Sequence, residues 1–178
     1  MIDPRNYRAE ETLRDGRAVV VRAVRASDKQ AMLATFRGLE SHTVYLRFFG
    51  AHADPTADEL RDWTELDFVS KVRLVVCLAG PDGERIIGGA TYALLDPEDV
   101  TAGAEISFTI EEDFQGQGLA GKLLQHLVRI ARSVGIPRLV AETLPENGAM
   151  LAVFANSGLP MTRKRGDGVV HVTLDLST

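Results

Sequence analysis

The chain has a single cysteine, Cys77, among its 178 residues. One cysteine excludes an internal disulfide and a cysteine-rich zinc site, and its apolar neighbours favour a small core residue over a nucleophile. The longest apolar runs, such as Leu74–Ala79, fall far short of the roughly 18 residues that span a bilayer. The charged N-terminal stretch MIDPRNYRAEETLRDG has no apolar segment typical of a secretory signal. These absences predict a cytoplasmic protein that does not enter a membrane.

Positive charge is also in deficit, because 20 Lys and Arg residues face 25 Asp and Glu residues, for a net charge of −5. This balance argues against nucleic acid as a partner and is compatible with a cationic acceptor such as an amine. Acids concentrate in residues 54–67, where six stand against the single Arg61. This acidic segment fits either a solvated helix face or a surface that steers a cation, and both interpretations stay open.

The length and the ordinary composition predict one domain over residues 1–178, with the polar residues 1–10 as a loosely attached arm. Alternating and continuous apolar runs predict strands at 18–25, 73–78, 86–94, 104–110, 139–143 and 169–176. Helical spacing predicts helices at 27–39, opened by a Ser27–Gln30 capping box, and at 41–49, 56–66, 116–134 and 147–156. This order predicts an α+β fold with a mixed, mostly antiparallel twisted sheet flanked by helices. One right-handed parallel strand–helix–strand crossover would span residues 104–143.

A glycine-rich segment, FQGQGLAG at residues 114–121, lies between a predicted strand and the longest predicted helix. Glycines let the backbone turn tightly and approach a ligand closely. The unpaired N–H groups and the dipole at a helix start form an anion site, for which a phosphate or pyrophosphate is the natural guest. The segment therefore predicts a phosphate-binding loop, with a purely structural turn before a core helix as the plainer alternative.

Gly116, Gly118 and Gly121 also match the G-x-G-x-x-G dinucleotide fingerprint, with Glu142 about 20 residues on, where that fold has its ribose-binding acid. Three observations disfavour this interpretation. Five residues separate the strand from the first glycine, the strand has a polar face, and too few residues follow Thr143 for the missing βα units.

Residues Gln115–Ala120 fit the acyl-CoA signature Gln/Arg-x-x-Gly-x-Gly/Ala, so the chain resembles the GNAT superfamily of N-acetyltransferases over about residues 17–176. The segments Leu13–Gly16 and Ser41–Gly50 look closest to the GNAT domain of bacterial protein lysine acetyltransferases. In those proteins the domain is often fused to an acyl-CoA-synthetase-like region or a cyclic-nucleotide-binding domain. The resemblance implies acetyl-CoA as co-substrate and a protein acceptor such as an acyl-CoA synthetase.

The resemblance also implies how acetyl-CoA would be held. Backbone N–H groups of Gln117–Ala120 would bind the pyrophosphate, and the pantetheine arm would lie between strands 104–110 and 139–143 where they part. Asn147 would either cap its helix or hydrogen-bond this arm. The implied cofactor-binding residues are Ile106, Phe108, Ile110, Gln115, Gly116, Gln117, Gly118, Leu119, Ala120, Gly121, Lys122, Asn147 and Phe154.

Acetyl transfer to an amine requires a base, because a lysine amine has a pKa near 10.4 and must lose a proton. Glu105 lies on the polar face of its strand and matches the glutamate base of the lysine acetyltransferases, although a surface glutamate would show the same pattern. Glu111 and Glu112 fit solvated loop acids. Phe154 stands where many GNAT enzymes have a tyrosine that reprotonates the thiolate. This departure puts a tyrosine-acid mechanism in doubt, and a thiolate, with a thiol pKa near 8.5, can leave unprotonated.

The four histidines show no metal-ligand spacing, so no metal site is expected, and His126 is predicted on the solvent side of its helix. The sequence thus predicts an acetyl-CoA-dependent N-acetyltransferase with a protein lysine acceptor. The alternatives are transfer to a small-molecule amine and a non-catalytic acyl-CoA-binding sensor.

Overall fold

The computed structural model describes residues 1–81 and 83–178. Its strands are β1 Arg8–Thr12, β2 Ala18–Ala23, β3 Lys71–Gly80, β4 Gly83–Leu94, β5 Ala104–Ile110, β6 Arg138–Thr143, β7 Met161–Gly166 and β8 Val169–Asp175. Its helices are α1 Lys29–Gly38, α2 Ser41–Phe48, α3 Ala57–Thr64, α4 Leu119–Ser133 and α5 Gly148–Ala155.

Within these residues the strands form one sheet in the order β1-β2-β3-β4-β5-β6-β8-β7. Its neighbours pair antiparallel except β5 and β6, which pair in parallel and are joined through α4. The predicted α+β fold with one parallel crossover is therefore confirmed. The β5–β6 ladder contains only the pairs Ala104↔Leu139 and Glu105↔Val140, and beyond them the two strands part as predicted.

Helix α4 covers the sheet at this split. Its buried stripe includes Leu119, Leu123, Leu127 and Ile130, and the helix packs against β4 and β5. Apolar residues three and four apart produce this face, and burying each such side chain stabilises the fold by roughly 1.5–3 kcal/mol. The stripe thus holds the start of α4 against the open end of β5.

The structure contains two edge strands that the sequence pattern did not predict. Residues 8–12 form β1 and pair with β2 from Arg8↔Arg22 to Thr12↔Ala18, so the expectation of a loose arm over residues 1–10 is wrong there. Strand β7 pairs with β8 at the opposite edge. Both strands are polar, RAEET and MTRKRG, because an edge strand exposes much of its surface to water, and polar side chains protect it from pairing with other chains.

Burial of His126 also corrects an expectation. Its side chain is bonded to the Tyr7 hydroxyl and, at 2.7 Å, to Glu11 Oε1, and the residue is 4% exposed. Strand β1 covers this part of α4, which converts an apparently solvent-facing position into an internal one.

The predicted capping box at Ser27–Gln30 is likewise absent. A 3-10 turn over residues 26–28 precedes α1, and Asp28 pairs instead with Arg22. The sequence Pro81-Asp82-Gly83-Glu84 predicts a turn between two strands, and its Asp82 lies outside the described residues. None of the helices in the described ranges has the length and apolar character needed to cross a bilayer.

Candidate active site

A cleft of about 560 Å³ opens where β5 and β6 part. The start of α4, α5 and helix α2 complete its walls. Twelve of the fourteen residues predicted for the site line it, namely Glu105, Ile106, Phe108, Ile110, Gln115, Gly116, Gly118, Leu119, Ala120, Gly121, Asn147 and Phe154. Residues that are up to 49 positions apart in the chain thus meet in one cavity.

The glycine loop turns into α4 at one end of this cleft. Gly116 and Gly118 have φ angles of 77° and 79°, a left-handed conformation that glycine adopts without strain, and Gly118 is the N-cap of α4. The first N–H groups of a helix have no intrahelical partners, and the helix dipole makes its start positive. The start of α4 is therefore a candidate anion site in the cleft, and phosphate binding there stays a prediction.

Side chains of the loop hold its shape. Gln115 Nε2 donates to the Ile110 carbonyl at 2.9 Å and to Thr43 Oγ1 at 3.3 Å. Gln117 Oε1 accepts the backbone N–H of Asp15 at 3.1 Å, outside the cleft lining. Both glutamines thus tie the loop to neighbouring segments.

Lys122 departs from the prediction. Its Nζ donates to the Thr12 carbonyl and lies 3.6 Å from Glu11 Oε2, so the side chain is turned towards β1. The Lys122 side chain joins α4 to the edge of the sheet and does not line the cleft. The reason is the β1 edge itself, which supplies acceptors that sequence analysis did not place there.

Arg14 is a site residue that sequence reasoning missed. Its Nη1 donates to the Gly116 carbonyl at 3.0 Å, and a Cβ built on Gly118 would lie 3.4 Å from its Nε. A guanidinium therefore stands beside the anion site. No local pattern links residue 14 to residue 118, because only tertiary packing brings the β1–β2 turn to this loop.

Carboxylates around the cleft fall into two groups. Glu111 is 6% exposed and pairs with Arg85, while Glu112 Oε1 accepts the backbone N–H of Glu40 at 2.7 Å. The expectation that Glu111 and Glu112 are solvated loop acids is wrong, because both anchor the loop to neighbouring elements. Glu105, by contrast, is exposed, lines the cleft, and has no ion pair within 4 Å among the described residues.

Phe154 and Asn147 occupy the α5 side. Phe154 is buried and meets Phe108 edge-on, with ring centroids 6.1 Å apart, so this wall of the cleft offers no proton donor from that ring. Asn147 Oδ1 accepts the backbone N–H of Met150 at 3.3 Å and caps α5, which is one of the two predicted roles.

Helix α2 closes the cleft from above the sheet. Tyr45 donates its hydroxyl hydrogen to Glu146 Oε1 at 3.1 Å, bridging α2 to the segment before α5. Arg47 Nη2 donates to Ser107 Oγ at 3.2 Å, which fixes α2 to the polar face of β5. The segment that resembles the lysine acetyltransferases thus forms a wall of the cleft.

The acidic segment at 54–67 is largely paired. Asp54 bonds Arg37 at 2.9 Å, and Glu65 bonds Lys29 at 2.8 Å. Asp58 pairs with Arg61, Glu59 lies 3.2 Å from His52, and Asp67 accepts the backbone N–H groups that follow it. Most of these acids therefore have local partners, and a steering role stays a prediction.

Comparison with protein families identifies the arrangement. The model of the acetyltransferase (GNAT) family matches residues 39–159, a span that contains α2, the base candidate, the glycine loop and α5. The chain belongs to the GNAT family of acetyltransferases. As a GNAT enzyme it uses acetyl-CoA as its co-substrate, which agrees with the anion site at the start of α4.

Three similar proteins match most of this chain. The chain is 30% identical to Acetyltransferase PA5475 of Pseudomonas aeruginosa over 90% of its own length and 86% of that protein. The crystal structure of the GNAT domain of S. lividans PAT matches with a TM-score of 0.85 and 31% identity, covering 94% of this chain and 96% of that one. Acetyltransferase Pat of Mycolicibacterium smegmatis is 28% identical over 92% of this chain, which spans about half (47%) of that longer protein.

Proposed function

We propose that this GNAT enzyme acetylates a protein lysine side chain in the cytoplasm, by direct attack of the amine on acetyl-CoA with Glu105 as general base. The observation that carries the proposal is the position of Glu105. It is the exposed carboxylate at the last paired position of β5 and β6, and it shares one cleft with the glycine loop. Glu105 lies where the amine would react, and the glycine loop lies where the pyrophosphate of acetyl-CoA would bind, so one cleft could serve both.

The residues that would hold acetyl-CoA follow the cleft. The start of α4, from Gln117 to Ala120, would bind the pyrophosphate through backbone N–H groups, and Arg14 would add a positive charge. The parted strands leave backbone groups of β5 and β6 unpaired after Glu105 and Val140, and these suit the amides of the pantetheine arm. Asn147, Phe154 and Phe108 would form the wall along this arm.

In this proposal the reaction needs one catalytic side chain, Glu105. The lysine ammonium first loses a proton to water and becomes a neutral amine. As its nitrogen attacks the thioester carbon, Glu105 takes the second proton, directly or through water. A C–N bond forms as the C–S bond breaks, and the sulfur leaves as a thiolate. Phe154 has no proton to give, so the thiolate leaves unprotonated or takes its proton from water, as a thiol pKa near 8.5 permits.

Two features support a lysine acceptor. Segments Leu13–Gly16 and Ser41–Gly50 resemble those of protein lysine acetyltransferases, and the chain is 31% identical to the GNAT domain of S. lividans PAT. An acyl-CoA synthetase is a fitting target, because related domains are fused to such regions. A small-molecule amine is the second candidate, favoured by a small pocket that adjoins the cleft and is described below.

The acceptor class can be tested with labelled acetyl-CoA. A cell lysate is separated by dialysis into a protein fraction and a small-molecule fraction, and each is incubated with the enzyme and the label. We expect enzyme-dependent label in the protein fraction, on lysine residues located by mass spectrometry. Label confined to the small molecules would overturn the lysine acceptor, and no label in either fraction would overturn the proposed transfer.

Glu105→Gln tests the base. We expect kcat to fall by about 100-fold or more, because general-base assistance contributes this much, while the Kd for acetyl-CoA stays unchanged. Glu10→Gln is the matched control, since Glu10 is exposed on β1 away from the cleft. Unchanged turnover in Glu105→Gln would remove Glu105 from the mechanism.

Gly118→Asp tests the anion site. An aspartate there would place negative charge beside the pyrophosphate and within reach of Arg14, and we expect acetyl-CoA affinity to fall by roughly 100-fold or more. Gly135→Asp is the control, because Gly135 has a similar φ of 85° but follows the other end of α4. Equal losses in both variants, measured by calorimetry, would mean that backbone strain and not charge is responsible.

A further inference from the structure

A second, smaller cavity adjoins the cleft. Its volume is about 90 Å³, and it shares Arg47, Phe48, Ser107, Phe108 and Thr109 with the cleft lining. Aromatic rings from three helices, Phe36, Phe48 and Trp63, form its wall. The shared residues make this cavity, here called the acceptor pocket, a direct neighbour of the cleft that contains Glu105.

The base of the acceptor pocket is a polar row across the sheet. Arg73 on β3 lies opposite Thr91 on β4, and Thr91 lies opposite Ser107 on β5. Glu105 is two residues before Ser107, so it projects from the same face of β5 at a distance of about 7 Å along the strand. The general base and the polar row therefore serve the same side of the sheet.

Two guanidinium groups line the pocket. Arg47 donates to Ser107 Oγ and lies 4.9 Å from the ring centroid of Phe48, while Arg73 lies 5.9 Å from the centroid of Trp63. Among residues 1–81 and 83–178, neither has a carboxylate within 4.0 Å, and the buried Nε of Arg73 has no hydrogen-bond partner. The pocket thus concentrates positive charge without neutralising it.

The titration behaviour of these groups agrees with this geometry. Burial, followed by the like charge of Arg47, lowers the pKa of Arg73 to about 10. Burial also lowers the pKa of Arg47, although the opposite charge of Glu105 raises it. Burial and the like charge of Arg73 lower the pKa of Lys71, while the charge of Asp62 raises it. Three half-buried cations are held together at some cost to the fold, because each loses part of its hydration and none has a carboxylate within 4.0 Å among the described residues. An anion that enters the pocket would remove this cost.

We infer that the acceptor pocket binds a carboxylate of the acceptor, so that the substrate is an amine that carries a carboxylate close to its reacting nitrogen. The inference rests on the proposed function, since Glu105 sets where the amine lies. The pocket volume of about 90 Å³ is smaller than the cavity of roughly 150 Å³ that holds a benzene ring, so it suits a small group such as a carboxylate with a short carbon stem. The planar fork of a guanidinium matches the two oxygens of a carboxylate. The carboxylate comes either from an acidic residue next to a target lysine or from a small amino-acid acceptor.

Binding to the pocket can be measured without turnover. Trp63 is the only tryptophan in the chain and lines the pocket, so its fluorescence reports occupancy. We expect propionate to change this fluorescence saturably, and its uncharged analogue propionamide to leave it unchanged. Arg73→Met should abolish the propionate response, whereas Arg163→Met, an exposed arginine on β7, should retain it. A wild-type protein that responds equally to both probes or to neither, or an Arg73→Met variant that still responds to propionate, would overturn the inference.

Matched acceptors then distinguish the two sources. One pair is a lysine peptide with Glu or Gln beside the lysine, and the other is alanine and alaninamide. We expect kcat/KM to favour the carboxylate form at least about 10-fold in one pair, which corresponds to about 1.4 kcal/mol of extra binding by a charge-assisted bidentate contact. Arg73→Met should reduce the preference to near one, and Arg73→Lys should keep part of it.

The two tests separate the two hypotheses. No preference in either pair, with turnover intact, would overturn the carboxylate pocket and leave the acetyltransferase function standing. No turnover with any amine, together with propionate-specific fluorescence that Arg73→Met abolishes, would overturn the proposed function and leave the pocket standing.

Discussion

Two arginines on neighbouring strands of the sheet differ in how their charges are neutralised. Arg22 on β2 is 5% exposed and places its two Nη atoms on Asp28 at 2.8 and 2.9 Å, with a further bond to the Ala23 carbonyl. Arg73 on β3 lines the acceptor pocket with no carboxylate near it among the described residues. The Nε atoms of both lack partners, so the difference lies in charge neutralisation.

This contrast separates a structural cation from a functional one. Asp28 supplies a bidentate counter-ion for Arg22, which joins β2 to the turn before α1, because a buried charge without a partner would destabilise the fold. Near Glu105 the fold places two guanidinium groups, Arg47 and Arg73, and neither has a carboxylate within 4.0 Å among the described residues, although the charge of Glu105 raises the pKa of Arg47. An uncompensated charge that persists next to a candidate base is what a site for an anionic substrate group requires.

The largest expected effect breaks the paired region. Asp28→Asn removes the bidentate partner of Arg22 and leaves only the half-exposed Glu84, whose Oε1 lies 3.5 Å from Nη2. We expect a loss of about 3 kcal/mol in the free energy of unfolding, measured in urea. Asp58→Asn is the control, because its side chain is 81% exposed and its pair with Arg61 is local. Equal stability of wild type and Asp28→Asn would show that the pair contributes little.

The same variant has a pH signature. Burial alone would raise the pKa of Asp28, but hydrogen bonds from Arg22 and from the backbone N–H of Arg25 outweigh it, and the pKa is lowered below its ordinary value of 3.8. A lowered pKa contributes stability that is present above the ordinary value and lost as pH falls through the folded-state value. Between pH 5 and 2 the wild type should therefore lose more stability than Asp28→Asn, about the range in which this carboxyl titrates.

The second prediction converts the unpaired region into a paired one. Thr91 lies opposite Arg73, and opposite Cβ atoms in a sheet are about 4.5–5.5 Å apart, so Thr91→Asp would supply the missing carboxylate. We expect the preference for carboxylate-bearing acceptors to fall by about 10-fold, because the new aspartate competes for the guanidinium. Thr91→Asn controls for size and polarity. A preference that survives in Thr91→Asp would place the anion site away from Arg73.

The smallest expected effect concerns stability at the pocket. Arg73→Met removes an unpaired cation and keeps an apolar chain of similar length, and we expect the free energy of unfolding to rise by about 1 kcal/mol. Arg22→Met should do the opposite, since it leaves Asp28 buried and unpaired. Thermal and urea unfolding of both variants, with Arg163→Met alongside, measure the difference. Loss of stability in Arg73→Met would show that Arg73 has a structural role after all.

Local patterns predicted the elements that carry the site. The strand at 104–110 and its alternation are confirmed, and the glycine loop begins a helix whose apolar stripe is buried. These features depend on residues close together in the chain, so their periodicity is visible in the sequence. Features that depend on distant segments were missed. Strand β1 buries His126, and the turn after it brings Arg14 to the loop, through contacts between residues more than 100 positions apart.

The sequence by itself determined the α+β order of elements, the glycine turn at 116–118 and a carboxylate on the polar face of β5. Each is a short-range property of glycine conformation, side-chain alternation or helical spacing. Only the tertiary structure decided which charges meet and which are neutralised. Arg47, Arg73 and Ser107 come together because strand register across β3, β4 and β5 and the packing of α2 place them there. Register and packing are sums of long-range contacts, and no window of the sequence contains them.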